Sequence, residues 1–320
     1  MQTLESPLSS GVFDRWIYAE ILHAALGNWT AESYIQTNGS SPYRTSPRDS
    51  QVFAFLASCC LVSTEWLSLA RPLLYAAFRT GEFIAPNLTK APSHEIIARP
   101  SIAPLVRYVG IHSYDPGEAA EIVSRLPLLP NLSCLIASEG SYPCKSFKFI
   151  PPYQGQSLTK LDYRSGSVQD LARLMSVLPH LKELKAGSFM YAMRYVPDLF
   201  EWMFRSSKDS IQHFTILRSP KIFKDTLGCF INAKSLTLEL RKITNEAKIN
   251  MDLYELATNL ARFPKLEKLT LRIAQDSPTQ NLKRVYASLG QLYPRLEIQY
   301  QQHSSSGDFP CETDDYDACQ

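Results

Sequence analysis

One six-residue pattern recurs along this chain and constrains its fold more than any other feature: apolar, two variable residues, apolar, one variable residue, apolar. It occurs at Val106/Val109/Ile111, Leu132/Leu135/Ala137, Leu158/Leu161/Tyr163 and Leu181/Leu184/Ala186, then at Ile211/Phe214/Ile216, Ala233/Leu236/Leu238 and Leu266/Leu269/Leu271. A copy one residue short, Leu296-Glu297-Ile298-Gln299-Tyr300, ends the series. The central positions of the seven full copies are 26, 26, 23, 30, 22 and 33 residues apart. Within each copy the apolar residues alternate, as they do in a strand with one buried face.

The segments between these strands have helical periodicity. Pro116–Leu126, Val168–Leu178, Pro197–Phe204, Met251–Phe263 and Asn281–Leu292 are the expected helices, with Leu171, Leu174, Met175 and Leu178 spaced to share one face. Four near-identical joints lead from helix to strand: Leu129-Pro130-Asn131-Leu132, Leu178-Pro179-His180-Leu181, Phe263-Pro264-Lys265-Leu266 and Tyr293-Pro294-Arg295-Leu296. Proline lacks the N–H that a helix interior needs, so it stops each helix at the same phase. A repeat of one strand and one returning helix, about 27 residues long, falls in the range of leucine-rich repeats. The expected fold is α/β, with an irregular leucine-rich-repeat solenoid, a right-handed βα horseshoe, over residues 105–300. It should be irregular because regular repeats place Asn or Cys eight residues after the first apolar position. Tyr114, Gly140, Gly166, Phe189, Ser219, Arg241 and Ala274 stand there instead.

Residues 1–80 read differently, as a helical module. Residues 13–26 (FDRWIYAEILHAAL) predict a helix, and a polar stretch at 27–50, rich in Ser, Thr, Asn, Gly and Pro, predicts a flexible insert. Val52 to Phe78 follows, with Ser63 placed to cap a second helix after the apolar run. Leu61, Val62, Trp66, Leu69, Ala70, Pro72, Leu73, Leu74 and Tyr75 match, position by position, the second half of an F-box, and Glu20-Ile21-Leu22 looks like the end of its opening helix. The layout resembles fungal-type F-box proteins with irregular leucine-rich repeats. That resemblance implies an adaptor in a Skp–cullin–F-box ubiquitin ligase. Ile17, Ile21, Leu22, Leu61, Val62, Trp66, Leu69, Pro72 and Leu73 would bind the Skp-type linker of the cullin ligase core, and the repeats would hold a protein substrate. Two alternatives stay open: a repeat scaffold without any ligase, and a helical end that merely caps the solenoid. Residues 81–104 read as a connector.

The remaining features narrow the function classes. The net charge is +2, and five acidic residues without a Lys or Arg gather at 301–320, a tail expected to be disordered. Neither value suggests nucleic acid or a membrane surface as partner. Seven cysteines, an odd number, with no C-x-x-C pair or zinc-ligand spacing, suit a reducing compartment, cytoplasmic and/or nuclear. The run Val52–Val62 is about half the length of a membrane span, and Met1-Gln2-Thr3-Leu4-Glu5 is no secretory leader. No phosphate-binding glycine pattern, nucleophile elbow or zinc-binding helix occurs, so no enzyme activity, metal or cofactor is expected.

The surface expected to recognise a substrate is the concave strand face, because side chains alternate across each strand. Its candidate contacts are Tyr108, His112, Lys160, Asp162, Arg164, Glu183, Lys185, His213, Thr237, Lys268 and Arg272. Basic residues slightly outnumber acidic ones along this face, which points to an acidic or phosphorylated ligand.

Overall fold

The computed structural model describes residues 10–37, 47–79, 93–112, 121–122, 124–138, 157–163, 175, 178–187, 209–216, 232–240, 260–261, 263–274 and 287–303. Nine strands form one parallel sheet in chain order. They are β1 (Ala77–Arg79), β2 (Tyr108–His112), β3 (Cys134–Ser138), β4 (Lys160–Tyr163), β5 (Glu183–Ala186), β6 (His213–Ile216), β7 (Ser235–Leu240), β8 (Lys268–Ala274) and β9 (Glu297–His303). Parallel neighbours need a crossover of a dozen or more residues, which the spacing of the pattern supplies.

The strand centres read from the sequence stand in a single row. Val109, Leu135, Leu161, Leu184, Phe214, Leu236, Leu269 and Ile298 pair in succession across the sheet, and all are buried. The first apolar position is buried from Val106 to Ala233, and Leu266 packs against the same core. Phe78 of β1 extends the row by one, paired with Val109. The sheet therefore begins before residue 80, inside the segment assigned to the helical module. It also ends later than expected, because β9 runs through His303 into the stretch read as tail. Residues 304–320 lie outside the described residues.

Strands β1–β7 begin on the same hydrogen-bonding device. One carbonyl just before a strand accepts two successive amides from the next turn: Ala76 O from Arg107 and Tyr108, Arg107 O from Ser133 and Cys134, Thr159 O from Lys182 and Glu183. Gln212 O and Lys234 O repeat the arrangement. Beside it runs a side-chain ladder. The residue preceding the first apolar position bonds a backbone carbonyl of the preceding turn: Asn131 Nδ2 to Pro104 O (2.7 Å), Ser157 Oγ to Leu132 O (2.8 Å), Ser210 Oγ to Leu181 O (2.7 Å) and Asn232 Nδ2 to Asp209 O (3.1 Å). Unpaired carbonyls at these joints would carry a desolvation penalty, so short polar residues at this phase stabilise the stack. The proline joints close tightly, with Leu132 N bonding Leu129 O, Leu266 N bonding Phe263 O, and Leu296 N bonding Tyr293 O.

Of the expected inter-strand helices, the described residues include helical positions at 121–122, 124–128, Met175, Leu260 and 287–292, and most of the remainder lies outside them. Ile122, Met175, Leu260 and Leu289 are buried on the core side.

Four helices precede the sheet: α1 (Ser10–Leu26), α2 (Ala31–Thr37), α3 (Pro47–Cys59) and α4 (Thr64–Leu74). Ser63 caps α4 as its position suggested, its Oγ accepting from Trp66 N at 3.4 Å. Of the stretch 27–50, read as a flexible insert, the described part contains α2 and the start of α3, and 38–46 lie outside the described residues. Trp29 and Asp49 are both buried, and the indole Nε1 donates to Asp49 Oδ1 at 2.9 Å. The connector also contributes a short helix, α5 (Ser93–Ile97), and buried Ile96, Ile97, Ile102 and Ala103. One continuous apolar core runs from Leu22 to Ile298, so helices and sheet share it.

Leu269 and Lys268 are neighbours on opposite faces of β8. Leu269→Ala should lower unfolding free energy by roughly 2–5 kcal/mol in urea titration. Lys268→Ala, which loses only a partly exposed contact to Glu297 at 3.5 Å, should change it by no more than about 1 kcal/mol. Equal losses would contradict the register.

Candidate interaction surfaces

Two surfaces present functional chemistry, and the first is the turn between α3 and α4. Leu61 N bonds Ser58 O and Val62 N bonds Cys59 O, closing the turn, and Ser63 opens α4 in an extended conformation. The turn leaves Leu61 81% and Val62 69% exposed. Water-facing aliphatic side chains at that level are unfavourable unless something covers them. Pro72 is exposed too, but it lies inside α4. Trp66 stands behind the turn, half-buried, its ring 5.1 Å from that of Tyr18 on α1.

Helix α1 divides the expected linker contacts. Ile21 is 47% exposed and Ile17 half-buried, whereas Leu22 is 2% exposed and part of the core. Leu22 is thereby removed from the contact set. Successive helical residues are turned by about 100°, so Ile21 and its neighbour cannot face the same way. Leu69 and Leu73 are half-buried and pack against the core, as Trp66 does. The exposed members of the expected set are Ile21, Leu61, Val62 and Pro72, and Trp16, also exposed, is absent from that set.

The second surface is the face of the sheet away from the core. Its rows follow the register: Tyr108, Cys134, Lys160, Glu183, His213, Ser235, Lys268 and Glu297 in one, Gly110, Ile136, Asp162, Lys185, Thr215, Thr237, Thr270 and Gln299 in the next. The charges along it are matched within the chain. Lys160 Nζ lies 2.5 Å from Glu32 Oε1 and 3.6 Å from Glu183 Oε2. Lys185 Nζ lies 3.2 Å from Asp162 Oδ2. His213 Nδ1 is 2.8 Å from Ser235 Oγ, and Arg272 Nε donates to Gln301 Oε1 at 3.1 Å. This pairing offsets the slight basic excess that pointed to an acidic ligand. The side chains of His112 and Arg164 lie outside the described residues, and Thr237 is half-buried.

The face is not uniformly open. At β2 and β3 its residues Gly110, Cys134 and Ile136 are buried although they point away from the core, and Tyr108 is half-buried. Helix α2 packs against β1 and β2, bringing Glu32 to Lys160. Glu32 was not among the expected face residues, since nothing local in the sequence ties positions 32 and 160. Glu297, Gln299 and Gln301 of β9 were missed because the last copy of the pattern is short.

Among the described residues no cluster of three or more His, Cys, Asp or Glu has metal-site geometry, and no helix is long and apolar enough to cross a membrane. Burial pushes the Cys134 thiol up to about 12, with the Glu32 carboxylate adding to the effect. Lys160 is raised chiefly by its hydrogen bond to Glu32. Both shifts leave the folded state holding protons that the unfolded chain releases above pH 9–10.5. The stability contributed by these two groups should thus be flat up to about pH 9 and fall above it. For Cys134 the loss approaches, on the order of, 4 kcal/mol by pH 12. Cys134→Ala should flatten the decline between pH 9 and 10.5 in denaturant titrations at stepped pH, and an unchanged slope would contradict burial of this thiol.

Comparison with protein-family models, with characterised proteins and with solved structures gave no match.

Proposed function

We propose that the chain is the substrate-recognition subunit of a Skp–cullin–F-box type ubiquitin ligase, built as an F-box-like helical end joined to irregular leucine-rich repeats. The observation that carries this reading is the exposure of Leu61 and Val62. They sit at the positions where the F-box resemblance calls for a Leu-Val pair, four residues ahead of Trp66. An apolar turn of this kind, with Ile21 exposed on α1, suits burial by a partner's apolar groove. The linker would hold the helical end, and the open strand face from β4 onward would hold the protein to be modified. The chain itself would perform no chemistry. It would raise the effective concentration of a substrate lysine near the charged ubiquitin-conjugating enzyme.

The inward packing of Leu22, Trp66, Leu69 and Leu73 also suits a second reading, in which the helices cap a repeat scaffold that works without a ligase. Purified Skp-type linker separates the two. Wild-type chain should retain the linker in co-purification, and Leu61→Ala/Val62→Ala should weaken binding at least tenfold, about 1.4 kcal/mol or more. Both side chains are water-exposed, so the melting temperature should be unchanged. Absence of wild-type binding, or full binding by the double variant, rejects the ligase reading.

A further inference from the structure

Helix α2 is fastened by three contacts gathered at its start. Its first turn is locked reciprocally, with Ser33 N donating to Thr30 Oγ1 at 2.9 Å and Thr30 N to Ser33 Oγ at 3.1 Å. Two residues before it, Trp29 is tied to α3 through Asp49 and lies edge-on to Phe53 at 5.7 Å. Glu32, also in the first turn, meets Lys160 on the strand face, and Lys160 in turn meets Glu183. Beyond these contacts Tyr34 and Ile35 are fully buried, and Cys134 is 3% exposed although it lies on the side of the sheet away from the core.

We propose that α2 is a permanent clamp. It fixes the N-terminal helices to the sheet as one body, and it closes the β2–β3 end of the strand face to any partner. The reciprocal cap stops α2 from fraying, the Trp29–Asp49 bond sets where it leaves the helical end, and the Glu32–Lys160 pair sets where it lands on the sheet. Tyr108 is thereby excluded from recognition, and Lys160 marks the first strand open to a ligand. The clamp acts in the same way whatever the α3–α4 turn binds, so it stands apart from the ligase reading.

Cys134 reports on the clamp because it is buried on the strand face that Glu32 of α2 crosses to reach Lys160, whereas Cys59 is buried among the helices. Full-length chain would be alkylated with N-ethylmaleimide at pH 8 and each cysteine followed by peptide mass spectrometry. In the wild type, Cys134 should be modified no faster than Cys59. Glu32→Lys sets a second cation against Lys160 and should speed Cys134 modification at least tenfold while Cys59 stays slow. The exchanged pair Glu32→Lys/Lys160→Glu should recover most of the protection, an outcome that general destabilisation would not give. Wild-type Cys134 reacting faster than Cys59, or a Glu32→Lys chain with wild-type rates at both, would overturn the proposal.

Discussion

A strand in a parallel sheet satisfies its backbone only through its neighbours, and in this chain each neighbour arrives a full repeat later in sequence. That constraint organises everything else. The carbonyl ahead of each of β1–β7 receives two amides from the following turn, and one central apolar residue from each strand enters a single buried row. Hydrogen bonding fixes the register while burial fixes which face is inward, and a slip of one residue would expose the entire row. Repeats built in this way contact mainly the next repeat, so both ends of the stack need cover. Four helices and β1 supply it at the beginning, inside the same apolar core.

The two faces of the sheet consequently have different characters. The inner one is uniform, with Leu, Val, Ile or Phe at every strand centre. The outer one changes along its length: buried at β2 and β3, where α2 packs on β1 and β2, charged and internally paired at β4 and β5, then hydroxyl- and amide-bearing through Thr215, Thr237, Thr270 and Gln299. Partly exposed ion pairs of this kind add little stability. Their effect is to remove net charge from the face, so a bound partner would be selected by hydrogen bonding and shape more than by long-range attraction. The proposed docking turn at Leu61 and Val62 has the opposite chemistry, apolar and unscreened.

The strand positions and proline joints were legible because they depend on local periodicity and on the missing N–H of proline. The parts that were not legible have tertiary causes. Strand β1 lacks the third apolar position, since Thr80 stands two residues after Phe78, and only pairing with β2 reveals it. Helix α2 is seven residues long in a stretch whose composition favours loops, and its burial comes from the sheet it lands on. The Glu32–Lys160 contact spans 128 residues of sequence. The same limit applies to the linker surface: a motif identifies positions 21 and 22 equally, and only packing separates exposed Ile21 from buried Leu22. The side-chain ladder was not anticipated: Asn131, Ser157, Ser210 and Asn232 share one phase, but at the opposite end of the strand from the asparagine position of regular repeats.

The claim on which the rest depends is that the N-terminal helices and the first strands are one body with one core. Native-state hydrogen exchange tests it directly, since it reads the opening free energy of each segment separately. Amides in the interior of α3 and α4 should be protected to the same free energy as those of β2, β3 and β4, within about 1 kcal/mol, and should lose protection together as denaturant is raised. Helical amides that exchange several kcal/mol more readily than those strands would show a separately unfolding module and contradict the account.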